Sequence, residues 1–144
     1  MRVLVVEDQP IMIRVIANTL KSLGYSDITE AENGYDALVK LKTEDVDLVI
    51  TDWLMPTMSG IQLAKAIRST EGLMNLPIIM ITTLGGKESV LEAMEAKVNN
   101  YVVKPFTPQI LKDKILNTLE SLERKNLNKE YDDSYEDDDN IPST

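Results

Sequence analysis

The chain has no cysteine and no histidine. Without cysteine there is no disulfide framework and no thiol chemistry. Without histidine the commonest acid–base group and the commonest metal ligand are both missing. A Ser-His-Asp triad and a histidine-bound zinc site are therefore excluded. Long hydrophobic runs are lacking too: no apolar stretch is long enough to span a bilayer, and Met1 leads straight into the strand-like run VLVV instead of a signal peptide. The expected location is the cytoplasm, with no membrane partner. Basic surface is also scarce. The net charge is −9, and EYDDSYEDDD at 130–139 holds seven acids and no base. The rest of the chain is close to neutral, so nothing offers the basic face that nucleic acid needs.

What remains is a chain of 144 residues, enough for one domain with a real core. Short apolar runs alternate with longer amphipathic stretches. RVLVV (2–6), DITEA (27–31), DLVIT (47–51), PIIMIT (77–82) and YVVK (101–104) read as strands. Between and after them, 11–24, 34–44, 61–70, 88–96 and 108–125 read as helices, the first ending at Gly24 and the last opening with Pro108. Five βα units in succession argue for an α/β fold, a doubly wound five-stranded parallel sheet with helices on both faces. DITEA alone alternates polar with apolar, which places it at an edge and suits the flavodoxin-like order 2-1-3-4-5. The domain is expected to span 1–125. The acidic segment 126–144 has too few apolar residues to join the core and is expected to be disordered.

In a parallel sheet the C-terminal strand ends share one edge, where ligands bind. Glu7 and Asp8 follow the first strand, Asp52 the third; Thr82 ends the fourth and Lys104 the fifth. Taken singly these have plain explanations: Glu7-Asp8 could cap the first helix, Thr82 could be a strand-end hydroxyl, Lys104 a solvated cation. Taken together they form a pocket. Three carboxylates repel one another, so the pocket holds a proton or a cation. Hard oxygen ligands without His or Cys point to Mg²⁺. Asp52 could then act as a nucleophile that forms an aspartyl phosphate, with Lys104 supplying charge and Thr82 a hydrogen bond.

VVEDQ, DWLMPTMSG, the Thr of IMITT and YVVKPF together resemble the receiver domain of bacterial two-component response regulators, over residues 1 to about 125. Within that family they look most like the single-domain chemotaxis regulators of the CheY type. The resemblance implies that Asp52 takes a phosphoryl group from a histidine kinase, CheA-like in chemotaxis. It implies that Asp8, Asp52 and the Leu54 carbonyl bind Mg²⁺, with Glu7 helping through water. Lys104 would pair with the phosphoryl group, Thr82 would swing to bond it, and Tyr101 would move inward behind it. The fourth helix, fifth strand and fifth helix would then switch toward a target, the flagellar motor switch in chemotaxis. The Lys104-Pro105 bond is cis in such domains, and they are usually monomers.

Departures from the pattern are expected to matter. Leu54 stands where chemotaxis regulators usually have Asn, and Leu84 where relatives are often polar; two leucines there should slow self-dephosphorylation by obstructing water. Lys97 must take a turn usually taken by Gly. Gly85-Gly86 favour a mobile link or a plain turn, and Met74, Met80 and Met94 are expected to pack. Other functions fit less well. A haloacid-dehalogenase-like phosphatase needs a second Asp two residues after Asp52, where Leu54 stands, so no turnover enzyme is expected. A flavodoxin-like cofactor protein would set its phosphate against the acids of EDQP. A non-chemotaxis phosphorelay receiver or a phosphate sink would share the same pocket. A transcription factor is not expected, since 19 residues after 125 cannot make a DNA-binding domain.

Overall fold

A computed structural model describes the backbone of residues 1–139 and side chains through residue 128. Five parallel strands, β1 (Arg2–Val6), β2 (Asp27–Ala31), β3 (Leu48–Asp52), β4 (Ile78–Thr82) and β5 (Asn100–Val103), lie in the order β2-β1-β3-β4-β5. Five helices connect and cover them: α1 (Pro10–Ser22), α2 (Gly34–Thr43), α3 (Gly60–Arg68), α4 (Lys87–Glu95) and α5 (Pro108–Asp139). The expected sheet order holds, with the alternating strand β2 at one edge.

The pleat sorts each strand between two cores. Val3, Val5, Leu48, Ile50, Ile79, Ile81 and Val102 face α1 and α5, where they meet Ile16, Leu20, Leu111 and Ile115. Leu4, Val6, Val49, Ile78 and Met80 face the other way, against Ala37, Leu41, Ile61, Leu63, Ile67 and Ala93 of α2, α3 and α4. All of these are at least nine-tenths buried, and each large aliphatic among them is worth about 1.5–3 kcal/mol. β3 and β4 are buried at every position, which is why they read as unbroken apolar runs.

Helix ends follow their local chemistry. Gly24 (φ 91°) closes α1 as its left-handed residue. Asn33 caps α2 through the Asp36 N–H at 2.8 Å, and Ser59 with Gln62 forms a reciprocal capping box on α3. Lys97 does adopt the left-handed backbone expected of it, at φ 61°. Two of the three methionines expected to pack do not. Met80 is fully buried, but Met74 is 57 % and Met94 64 % exposed. The physical reason for Met94 is that α4 buries only Ala93 along its length, so most of that helix faces outward. Helix α5 passes residue 125 without a break and continues to Asp139. Its packing against the α1-side core ends earlier, at Leu119. The final stretch of the acidic segment, 140–144, lies outside the described residues. Among the described residues no helix is long and apolar enough to cross a membrane.

Candidate functional site

Strand register brings the strand-end residues together. Val6 pairs with Thr51, and Asp52 with Ile81, so Glu7 comes abreast of Asp52 one step past the end of β1. Asp52 is itself the last residue of β3, one position further into the strand than the sequence suggests, and Lys104 sits just past β5. The pleat then divides the set. Glu7, Asp52 and Lys104 share the parity of Val5, Ile50 and Val102 and point to the α1/α5 side. Thr82 and Tyr101 share the parity of Met80 and belong to the other side, where Tyr101 joins the α2–α4 core.

On the first side the contacts are ionic. Lys104 Nζ lies 3.2 Å from Asp52 Oδ2 and 3.5 Å from Glu7 Oε2. Asp52 Oδ1 accepts the Leu54 N–H at 3.4 Å, and Glu7 Oε1 accepts the Gln9 N–H at 3.2 Å. Neither Glu7 nor Asp8 caps α1: the residue before the helix is Gln9, whose side chain makes no capping bond, and Pro10 occupies the first turn. Glu7 is 0 % and Asp52 7 % exposed, whereas Asp8 faces solvent. Burial, reinforced by the charge of Asp52, pushes the Glu7 carboxyl up to about 7, against the opposing pull of Lys104 and the Gln9 N–H.

This donor set fits a hard cation. Oxygens of Glu7, Asp8 and Asp52 lie within 4.8 Å of one another. Glu7 Oε2 is buried without a hydrogen-bond donor. One lysine cannot neutralise three carboxylates, and the side open to solvent at Asp8 leaves room for a metal's retained waters.

On the second side the contacts are neutral. Thr82 Oγ1 accepts the Leu84 N–H at 3.1 Å, and the Tyr101 hydroxyl donates to the Leu84 carbonyl. The Tyr101 ring stands edge-on to Trp53, centroids 6.3 Å apart. Burial raises the Tyr101 phenol above its usual value, which keeps it a donor. The Lys104-Pro105 peptide is cis. Gly85 and Gly86 lie exposed between β4 and α4.

Two supporting residues escaped the sequence reading. Gly60 approaches the backbone beneath the site so closely that a Cβ there would fall 2.2 Å from the Asp52 carbonyl oxygen and 2.9 Å from Trp53 Cα. Its N–H donates to the Trp53 carbonyl at 2.8 Å, which ties the start of α3 to the strand end. The signal was the S-G pair opening a helix, which also reads as an ordinary cap. The second is Trp53, whose contact with Tyr101 spans a third of the chain and leaves no local mark.

Comparison with known proteins bears on the family and the fold. The family model described as response regulator receiver domain matches residues 3–116. The chain is 53 % identical over 116 residues to chemotaxis protein CheY1 of Helicobacter pylori, covering 80 % of this chain and 94 % of that protein. It is 52 % identical over 120 residues to a CheY homologue of Campylobacter jejuni, covering 83 % and 92 %. Among solved structures, CheY4 of Vibrio cholerae matches with a TM-score of 0.76 at 31 % identity, over 81 % of this chain and 97 % of that one. By this family match and these identities the chain belongs to the response regulator receiver family, and its relatives include the CheY chemotaxis regulators.

Proposed function

We propose that this chain is a chemotaxis response regulator that accepts a phosphoryl group on Asp52 and converts it into a changed binding surface on α4, β5 and α5. The observation that carries the reading is the meeting of Glu7, Asp8, Asp52 and Lys104 at one strand-end edge, with Lys104 Nζ 3.2 Å from Asp52.

Asp52 Oδ forms the new P–O bond while the donor's P–N bond breaks and its electron pair stays on the imidazole nitrogen. The chain has no histidine of its own, so the phosphohistidine belongs to a partner kinase, CheA-like in chemotaxis. Glu7, Asp8, Asp52 and the Leu54 carbonyl would hold Mg²⁺, with Glu7 acting through water. A bound Mg²⁺ supplies the positive charge that lets an anionic phosphoryl group approach the carboxylates. Lys104 leaves its carboxylate partners to pair with a phosphoryl oxygen, and the Thr82 hydroxyl turns to bond another. Tyr101, already turned inward against Trp53 and the Leu84 carbonyl, stands behind Thr82 in this arrangement. Leu54 and Leu84 flank the phosphoryl position with apolar side chains, which slows attack by water; the chain is a switch with slow self-dephosphorylation, not a turnover enzyme.

The output face is apolar where a target would dock. Leu91 and Met94 of α4, Val103 of β5 and Ile110 of α5 are 48 %, 64 %, 42 % and 45 % exposed. The flagellar motor switch is the target this reading assigns, with the chain monomeric in the cytoplasm. The receiver occupies 1–125, and the acidic segment 126–144 tunes partner binding by its charge.

Intact-mass spectrometry after incubation with acetyl phosphate tests the reading. One phosphoryl adduct that requires both Mg²⁺ and Asp52 is expected. An adduct that persists in EDTA or in Asp52→Asn would place the chemistry elsewhere.

A further inference from the structure

The two ends of α4 are held by different means. At its C-terminal end the backbone closes a complete capping motif around Lys97: its N–H donates to the Met94 carbonyl at 2.9 Å and the Val98 N–H to the Ala93 carbonyl at 3.1 Å. Arg68, the last residue of α3, then clamps that turn from outside. Its Nε and Nη2 both donate to the Lys97 carbonyl, at 3.1 and 2.8 Å, and Nη2 also donates to Asn99 Oδ1 at 2.9 Å. Its Nη1 donates to the carbonyls of Met74 and Leu76 in the loop before β4. Asn99 completes the lock by exchanging bonds with Ile78: its side chain accepts the Ile78 N–H and its own N–H donates to the Ile78 carbonyl, both at 2.8 Å.

The N-terminal end has no such fastening. Its cap residue is Gly86, with no side-chain capping bond, and a Cβ there would meet nothing within 4 Å. The link from β4 is held at Leu84 by side-chain bonds from Thr82 and Tyr101, the two residues assigned to the switch. Between these ends only Ala93 is buried.

We infer that α4 is a lever whose fulcrum is the Arg68 clamp at Lys97–Asn99 and whose released end is Leu84, so that a phosphoryl group at Asp52 moves the N-terminal half of α4 about a fixed C-terminal end. The inference rests on the phosphoacceptor reading of Asp52 and adds a positioning residue, Arg68, on the sheet edge opposite the site. When the Thr82 hydroxyl turns toward the phosphoryl oxygen, the Leu84 N–H loses its acceptor and the β4–α4 link keeps only the Tyr101 bond to the Leu84 carbonyl, which lets it shift. With the far end clamped, that freedom becomes rotation of α4 relative to β5 and α5. Without the clamp it would dissipate as loosening of the whole helix. The planar fork matters, because one ammonium cannot bridge three carbonyls and an amide oxygen in different segments.

Amide hydrogen exchange on the full chain, read by peptide for 84–90 and 97–99, tests this in two arms. In EDTA without donor, 97–99 should exchange more slowly than 84–90 in the wild type. Arg68→Lys should accelerate 97–99 about tenfold and leave 84–90 unchanged. With acetyl phosphate and Mg²⁺, the adduct being checked by mass in the same sample, the wild type should change only in 84–90. In Arg68→Lys the change should spread to 97–99. Should that variant not fold, Asn99→Ala removes one acceptor of the clamp and should act in the same direction. Equal exchange at 97–99 in wild type and Arg68→Lys would overturn the clamp, and a wild-type response as large at 97–99 as at 84–90 would overturn the lever. Absence of any adduct would instead count against Asp52 as acceptor, with the EDTA arm still deciding the clamp.

Discussion

Replacing Glu7 with Gln should stabilise the metal-free protein at alkaline pH. The Glu7 carboxyl is fully buried, and Oε2 has no hydrogen-bond donor to hold a negative charge. Its pKa in the fold is raised from 4.5 to about 7. The folded chain therefore holds this proton more tightly than the unfolded chain does. Glu7 contributes its full stability below about pH 4.5 and loses it as pH rises through about 7. A shift of that size corresponds to about 3 kcal/mol between pH 4 and pH 8. Gln has nearly the shape of the protonated acid and can still accept the Gln9 N–H, but it gives up the attraction of Lys104 at 3.5 Å. The net gain expected in EDTA at pH 8 is thus smaller, about 1–2 kcal/mol, and close to zero at pH 5. With saturating Mg²⁺ the gain should shrink or reverse, because the wild-type acid then faces a cation. Urea unfolding followed by Trp53 fluorescence at pH 5, 6, 7 and 8, with EDTA or Mg²⁺, reads all of this. A Glu7→Gln protein no more stable than wild type at pH 8 in EDTA would refute the reasoning, as would a difference independent of pH.

Four further outcomes are expected. Lys97→Gly should raise stability by about 0.5–1 kcal/mol in thermal unfolding, because a lysine at φ 61° carries a left-handed penalty that glycine lacks. Gly60→Ala should destabilise by about 3 kcal/mol or more and slow acetyl-phosphate labelling, since its Cβ would lie 2.2 Å from the Asp52 carbonyl oxygen and α3 must back away. Leu54→Asn with Leu84→Glu should shorten the life of the phosphorylated protein, measured by loss of the adduct after donor removal; an unchanged decay would show that these side chains do not gate water. Deleting 126–144 should leave the melting temperature within about 2 °C of wild type, because the packed core ends at Leu119, while weakening or strengthening partner binding in a salt-dependent way.

The fold was legible because its evidence is local. Four strands announce themselves by short apolar runs and β2 by its alternation, each helix by its stripe, and βα alternation leaves few topologies. The strand-end acids and Lys104 were legible for the same reason: a parallel sheet collects its C-terminal ends whatever the sequence distance. The end of β3 slipped by a residue because a carboxylate reads as the end of a strand even where, as at Asp52, it is buried within one, and α5 ran on past 125 to Asp139. What could not be read was long-range. Arg68 looks like any cation closing a helix, and only the meeting of two loops around it makes it a clamp. Met94 looked like core because apolar periodicity says nothing about how much of a helix its neighbours cover, and Met74 because apolar character does not say which side of the turn before β4 faces outward.

The sheet itself explains why chemistry and response can be separate yet coupled. Adjacent residues of a strand point to opposite faces, so Asp52 and Lys104 meet on the α1/α5 side while Thr82 and Tyr101 meet on the other. The two sides are divided by β3 and β4, which are buried at every position. A direct link between them runs around the strand ends, where Thr82 is the last residue of β4 and is buried. Leu84 is held there from both of its backbone groups, by Thr82 and by Tyr101. A joint made of two neutral hydrogen bonds costs about 1–3 kcal/mol to open, within reach of the charge-assisted bond a phosphoryl oxygen would offer Thr82. Core contacts of the kind that hold the other helices would need far more. On the phosphoacceptor reading, the sparse burial of α4 suits the switch: a helix packed as deeply as α3 would not be moved by the exchange of one hydroxyl's partner.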